Sequence, residues 1–131
     1  MKLGLLKCDF VPPEFSEIDG DIPDMFGKLL GEAGIEVDLC IYRVWEGELP
    51  SSTGECDGWL TSGARASVFE DEEWIQDFEE FIRALDGDQR KTVGICFGHQ
   101  MIAQALGGET RRAESGWGIG VQPVTIHEQK H

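Results

Sequence analysis

Short apolar runs and helix-period segments take turns along most of this chain, and few folds accommodate that alternation. The runs "KLGLLKC" (2–8), "EVDLCIY" (36–42), "CDGWLTSG" (56–63) and "KTVGIC" (91–96) read as strands. Between the first two, "DMFGKLLGEAGI" (24–35) places Met25, Phe26, Leu29, Leu30 and Ala33 at helical spacing, with Gly34 as a stop. The clearest helix is "DEEWIQDFEEFIRALDG" (71–87). Trp74, Ile75, Phe78, Phe81, Ile82 and Leu85 form its apolar face, while acids in its first turns and Arg83 near its end suit the helix dipole. "GHQMIAQALGG" (98–108) reads as a further helix closed by glycines. The proline-containing stretch 9–25 reads as a long loop, 43–55 as a turn-rich connection, and 109–131 as short extended segments around a Gly-Trp-Gly turn. Such alternation implies an α/β fold with a mainly parallel sheet. Ligands of such sheets bind beyond the carboxyl ends of the strands. Two segments fall there, "TSGARASVFED" (61–71) and "CFGHQ" (96–100).

At 131 residues the chain is expected to form a single domain, long enough to bury a core. Its 25 acidic and 11 basic residues give a formal charge of −14. Such a surface repels phosphate backbones and anionic lipid, so neither nucleic acid nor a membrane is expected as a partner. No apolar run approaches the roughly 20 residues of a membrane helix. The opening "MKLGLLKCDF" lacks the long apolar region and cleavage site of a signal peptide. The four cysteines, Cys8, Cys40, Cys56 and Cys96, are widely spaced and form no C-x-x-C pair, which argues against a zinc site or a disulfide framework. Cys8 and Cys40 sit in apolar runs as small hydrophobes, and a reducing, cytoplasmic setting is expected. There is no G-x-G-x-x-G after the first strand and no P-loop sequence, so no nucleotide cofactor is expected. No metal is expected either: the acid-rich "FEDEEW" (69–74) reads as a helix N-terminus.

Chemistry concentrates in "GICFG" (94–98). Its two glycines permit a tight turn and a close helix–strand crossing, the cysteine counterpart of a nucleophile elbow. Cys96 then stands at a helix N-terminus, where free N–H groups and the helix dipole favour negative charge on sulfur. The N–H of Phe97 is directed toward a developing oxyanion. The local pattern equally admits a buried cysteine that ends a strand.

Taken with its companions, the segment becomes specific. "GICFGHQMIAQALGG" (94–108) resembles the nucleophile segment of class I (triad-type) glutamine amidotransferases. "TSGARASVFED" resembles that family's Ser-Gly-x-x-x-Ser-Val loop, with Ala64-Arg65 in place of glycine-proline. "AESGWGIGVQPV" (113–124) resembles the family's glutamine-contacting loop and the strand after it. The resemblance implies a flavodoxin-like three-layer sandwich and a small-molecule substrate, glutamine or a γ-glutamyl compound. It implies that Cys96 attacks the side-chain amide and forms a γ-glutamyl thioester. Phe97 N–H and the backbone N–H near Gly63 would form the oxyanion hole. Gln100 would help position the substrate, and the backbone around Ser115, Gly116 and Trp117 would receive its α-amino and α-carboxylate ends. His99 is implied to be structural. Arg65 is read as a solvated loop residue in preference to a carboxylate partner. Trp117 either stacks on substrate or pins its loop.

In this family the catalytic histidine and acid lie in a "His-Pro-Glu"-like segment far downstream. His127 and Glu128 are adjacent, so on a strand they would point to opposite faces, and His127 is not read as the base. The 131-residue chain is therefore expected to be an incomplete domain, inactive alone. It is also expected to expose an apolar sheet edge that invites homodimerisation. Two alternatives remain beside glutamine hydrolysis: a γ-glutamyl peptidase or hydrolase on the same scaffold, and a non-catalytic regulatory module.

Overall fold

Four parallel strands form one sheet in the order β2-β1-β3-β4 in the computed structural model, which describes residues 1–114, 116, 118, 121 and 123. In chain order the elements are β1 (Lys2–Lys7), α1 (Pro13–Asp19), α2 (Ile22–Glu32), β2 (Asp38–Arg43), a single 3-10 turn (Val44–Glu46), β3 (Gly58–Thr61), α3 (Glu73–Gly87), β4 (Thr92–Gly94) and α4 (Phe97–Ala105). The chain steps from β1 to one side for β2, then returns past β1 to lay down β3 and β4 on the other. The strand order thus reverses between β1 and β3.

Side chains alternate across the sheet and sort into two layers. On one face Leu6, Cys8 and Trp59 join Ile75, Phe78, Ile82 and Leu85 of α3 and Phe97, Met101 and Ala105 of α4 in the main core. The α3 stripe expected from the sequence is that contact: Ile75, Phe78, Ile82 and Leu85 are buried, and Trp74 and Phe81 pack against them. Trp59 meets Phe81 edge-on at 5.5 Å and donates its indole N–H to Thr53 O at 3.1 Å. A Cβ on Gly4 would overlap the Trp59 ring, so glycine is what lets the indole lie on β1. On the other face Ile41, Leu5, Leu60 and Val93 stand side by side across the sheet. Leu5 and Leu60 in the middle are buried, with α2 packing against β1, while Ile41 and Val93 at the ends are exposed.

The segment 9–25 is not wholly a loop, because α1 and the start of α2 occupy part of it. Proline fits the first turn of a helix, where its missing N–H is not needed, and Pro13 opens α1 in that way. None of the α1 residues is buried, so no apolar stripe announced it. In α2 the Asp24 carboxylate accepts the Asp21 N–H at 2.8 Å, and Gly34 turns the chain out at φ +71°.

Two ion pairs tie the loops beyond β1 and β3 in place. Lys7, almost fully buried at the end of β1, pairs with Asp21, and its Nζ lies 4.7 Å from the centroid of the Trp45 ring. Asp9 receives Arg65 in two-pronged fashion, Nε to Oδ2 at 2.9 Å and Nη2 to Oδ1 at 2.7 Å, and its Oδ2 also accepts the Arg65 backbone N–H at 2.8 Å. The Arg65 guanidinium lies 4.8 Å from the Phe10 ring centroid. Arg65 is an exposed loop residue, as read from the sequence, and it also clamps two loops together. Partial burial works to raise the Asp9 carboxyl, but the hydrogen bonds from Arg65 and Phe10 outweigh it and hold it below the usual carboxylate range.

Phe78 is fully buried between α3 and α4, so Phe78→Ala is expected to lower unfolding free energy by about 3–5 kcal/mol, read from urea titration. The Asp9 carboxyl is depressed in the folded state, so its stabilisation is complete above the unfolded carboxyl value of about 3.9 and is lost as pH falls through the folded one. Asp9→Asn is accordingly expected to lower the urea midpoint at pH 7. The gap to the parent protein should close as pH drops below about 4.

Candidate active site

Cys96 occupies a backbone conformation that L-residues avoid, φ +53° and ψ −109°, between the end of β4 and the first turn of α4. The chain reverses there because α4 crosses the sheet at very short range. A Cβ on Gly94 would lie 2.7 Å from the Gly98 carbonyl and the His99 nitrogen, and one on Gly98 would lie 2.8 Å from Thr61 Cγ2. Hydrogen bonds fix the turn: Ile95 N–H to Thr61 O at 3.1 Å, Gly98 N–H to Ile95 O at 3.0 Å, and Gln100 N–H to Cys96 O at 3.0 Å. The Phe97 side chain anchors it from below, stacked on Phe78 at 6.4 Å and 8° and packed on Trp74 at 5.5 Å. With Phe97 held inward, Cys96 is left exposed at the sheet edge.

The loop after β3 comes up beside it. The site of a Cβ on Gly63 is 3.4 Å from Cys96 Cβ and 3.9 Å from its Sγ. Buried Ser62 sets that loop: its Oγ accepts the Cys8 N–H at 2.9 Å and donates to Gly63 O at 3.0 Å, and its own N–H reaches Leu6 O at 3.1 Å. Among the described residues, neither the Gly63 N–H nor the Phe97 N–H has a hydrogen-bond partner. Two free backbone donors therefore flank the cysteine. Thr61 and Ser62 had not been singled out in the sequence. Their signal was the switch from apolar to small polar residues at the end of a strand.

Of the other anticipated residues, Gln100 lies one turn into α4 and is exposed. His99 is exposed as well and makes no side-chain hydrogen bond among the described residues. Cys96 Sγ likewise has no hydrogen-bond partner among them. Gly116 adopts φ +73°. Ser115, Trp117, His127 and Glu128 lie outside the described residues. Gln104 binds α4 to the loop after β3, its Nε2 donating to Val68 O at 3.0 Å.

The remaining cysteines differ in kind. Burial pushes the Cys8 thiol up to about 12, against lesser opposing hydrogen bonds from Thr61 and Ser62, which leaves it a small hydrophobe. Burial likewise raises the Cys56 thiol. Among the described residues no group of three or more His, Cys, Asp or Glu side chains is placed to hold a metal ion. No helix among them is long and apolar enough to cross a membrane.

Comparison with known proteins gives this arrangement a family. Gamma-glutamyl peptidase 4 of Arabidopsis thaliana is 37% identical over 109 residues, covering 82% of this chain and 43% of its own. Gamma-glutamyl peptidase 3 of the same plant is 36% identical over 128 residues, covering 95% and 49%. The chain thus spans about half the length of the curated relatives it matches. The crystal structure of a glutamine amidotransferase from Thermotoga maritima superposes with a TM-score of 0.65 at 21% identity, over 90% of this chain and 49% of that one, a likeness of fold. Residues 26–131 match the family model for glutamine amidotransferase class-I, a span that runs through the loop after β3 and the Cys96 turn, and the chain belongs to that family with its flavodoxin-like α/β fold.

Proposed function

We propose that Cys96 is the nucleophile of an amidohydrolase that cleaves γ-glutamyl amide bonds, with γ-glutamyl peptides as its substrates. The observation that carries this reading is the exposed cysteine at φ +53° between two unpartnered backbone N–H groups. A strained, solvent-facing residue at a strand–helix turn is where nucleophiles of this type stand. Sulfur adds to the γ-carbonyl carbon, and the N–H groups of Phe97 and Gly63 receive the developing oxyanion. The C–N bond then breaks, the amine leaves with the thiol's proton, and a γ-glutamyl thioester remains. Water cleaves the thioester, releasing glutamate and restoring the thiol. Gln100, with the backbone around Ser115, Gly116 and Trp117, holds the glutamyl end. The reaction needs a general base, and no side chain among the described residues is hydrogen-bonded to Cys96 Sγ.

Glutamine and γ-glutamyl peptides present the same scissile bond, so the elbow serves either. The names of the two plant relatives favour the peptide, at 37% and 36% identity. A purely regulatory module would have no use for a strained, exposed cysteine.

The full-length protein is expected to release glutamate from γ-glutamyl dipeptides with a higher kcat/KM than from glutamine. Cys96→Ala should lower that release by at least about 10³-fold, and a glutamine-analogue electrophile should add to Cys96 by mass spectrometry. Release that survives Cys96→Ala would overturn the assignment. Gly98→Ala drives a methyl into Thr61, and is expected to lower both the urea midpoint and kcat, because the helix that sets the elbow must shift.

A further inference from the structure

We propose that the apolar cleft beside Gly63 is a leaving-group subsite, which takes the apolar side chain, or other alkyl or aryl body, of the amino acid or amine released when Cys96 cleaves a γ-glutamyl bond. This rests on the reaction proposed above and names the part of the substrate that reaction leaves open.

The cleft, about 510 Å³, lies between the loops that follow β1 and β3, where the strand order reverses. A sheet of this kind opens a crevice at that point because neighbouring connections leave in opposite directions. Phe10, Val11 and Pro12 form one wall, and Ile22, Phe26 and Leu29 of α2 form the other. Gly63 belongs to both places. It lines the cleft, and a Cβ on it would lie 3.4 Å from that of Cys96. Cys96 is not itself a lining residue, so Gly63 is the link between the cleft and the cysteine. Gln100 and the segment 115–117, assigned to the glutamyl end, belong to α4 and the chain beyond it. The amine is the end left to face the Gly63 side.

The chemistry of the walls selects the occupant. The charged residues lining the cleft are Asp9 and Arg65, and each is taken up by the other through two short contacts, 2.9 and 2.7 Å. Arg65 is further covered by the Phe10 ring at 4.8 Å. No unpaired charge is left among the lining residues to meet an ionic group, whereas apolar surface is abundant. Ammonia, the amine of glutamine, would leave this space unused. A hydrocarbon body on the leaving nitrogen would fill it, and each buried methylene or ring carbon adds to binding. In the reaction the C–S bond forms first, and the C–N bond breaks as the amide nitrogen takes up the thiol's proton. The neutral amine so formed departs through the cleft, while the glutamyl half stays on sulfur.

The test compares γ-glutamylbenzylamide with γ-glutamylmethylamide on the full-length protein, with released glutamate as the readout. The two substrates differ by one phenyl ring on the amine. The benzylamide is expected to have a kcat/KM about tenfold or more above the methylamide. Phe26→Ala and Leu29→Ser should each lower that ratio by about threefold or more, with circular dichroism reporting the fold. Leu29 is 58% exposed, so its variant decides the matter should Phe26→Ala fail to fold. A ratio near one in the parent protein, or an unchanged ratio in a folded variant, overturns the subsite and leaves the proposed reaction standing. Cys96-independent release, or no release from either amide or from glutamine, overturns the reaction and the subsite with it.

Discussion

A helix can approach a sheet only as closely as its side chains allow, and α4 crosses where two residues have none. The backbone of Gly98 and His99 lies 2.7 Å from where a Gly94 Cβ would stand, and Thr61 fills the space a Gly98 Cβ would take. That crossing dictates the rest of the site. Between glycines two positions away on either side, Cys96 has to reverse the chain, and it does so at φ +53°. Strain of this sort costs on the order of 1–3 kcal/mol, so it persists only where the surroundings leave no alternative. Here the surroundings are the stacked Phe97, Phe78 and Trp74 rings and the hydrogen bonds from Ile95, Gly98 and Gln100.

One residue can serve core and site at once because side chain and backbone point apart. Phe97 puts its ring in the core and leaves its N–H beside Cys96. Ser62 does the same work for the other donor. Its buried hydroxyl couples Cys8 to the Gly63 carbonyl and its N–H reaches Leu6 O, which fixes the backbone on both sides of the Gly63 N–H. The contrast between cysteines is positional as well. Cys8, just past the end of β1 and hydrogen-bonded to Ser62, is buried with its thiol pushed up to about 12, whereas Cys96 stands exposed. The same side chain is filler in one place and a candidate nucleophile in the other.

What could be read from the sequence follows the range of the forces involved. The α3 stripe and the alternation of elements are local and periodic, so they were legible, as was a tight strand–helix turn whose glycines stand at fixed offsets from Cys96. β4 was read as 91–96 but pairs only over Thr92–Gly94, because the turn takes the chain out of the sheet. The α1 helix was missed because it buries nothing and its prolines look like breakers. The Asp9–Arg65 clamp joins residues 56 positions apart, and no pattern along the chain connects them. The expected substrate loop at Ser115 and Trp117 rests on resemblance alone, since it lies outside the described residues.

The division of the site between elements has a consequence for how one fold serves different amides. The parts assigned to bond cleavage come from the β4–α4 turn and the peptide after Ser62, all held by core packing and backbone hydrogen bonds. In the proposed reaction they would meet only the carbonyl, whatever hangs on its nitrogen. The walls beside Gly63 come from the loop after β1 and from α2, elements that contribute little to the main core and are steadied by two ion pairs, Lys7 with Asp21 and Asp9 with Arg65. Substitutions there change the shape of the cleft without disturbing the crossing that forms the Cys96 turn. Loops positioned by a rigid scaffold are where specificity varies at least structural cost. In this chain the Asp9–Arg65 pair also balances the charges that line the cleft. An acidic protein thereby keeps an apolar, charge-balanced cleft beside Gly63.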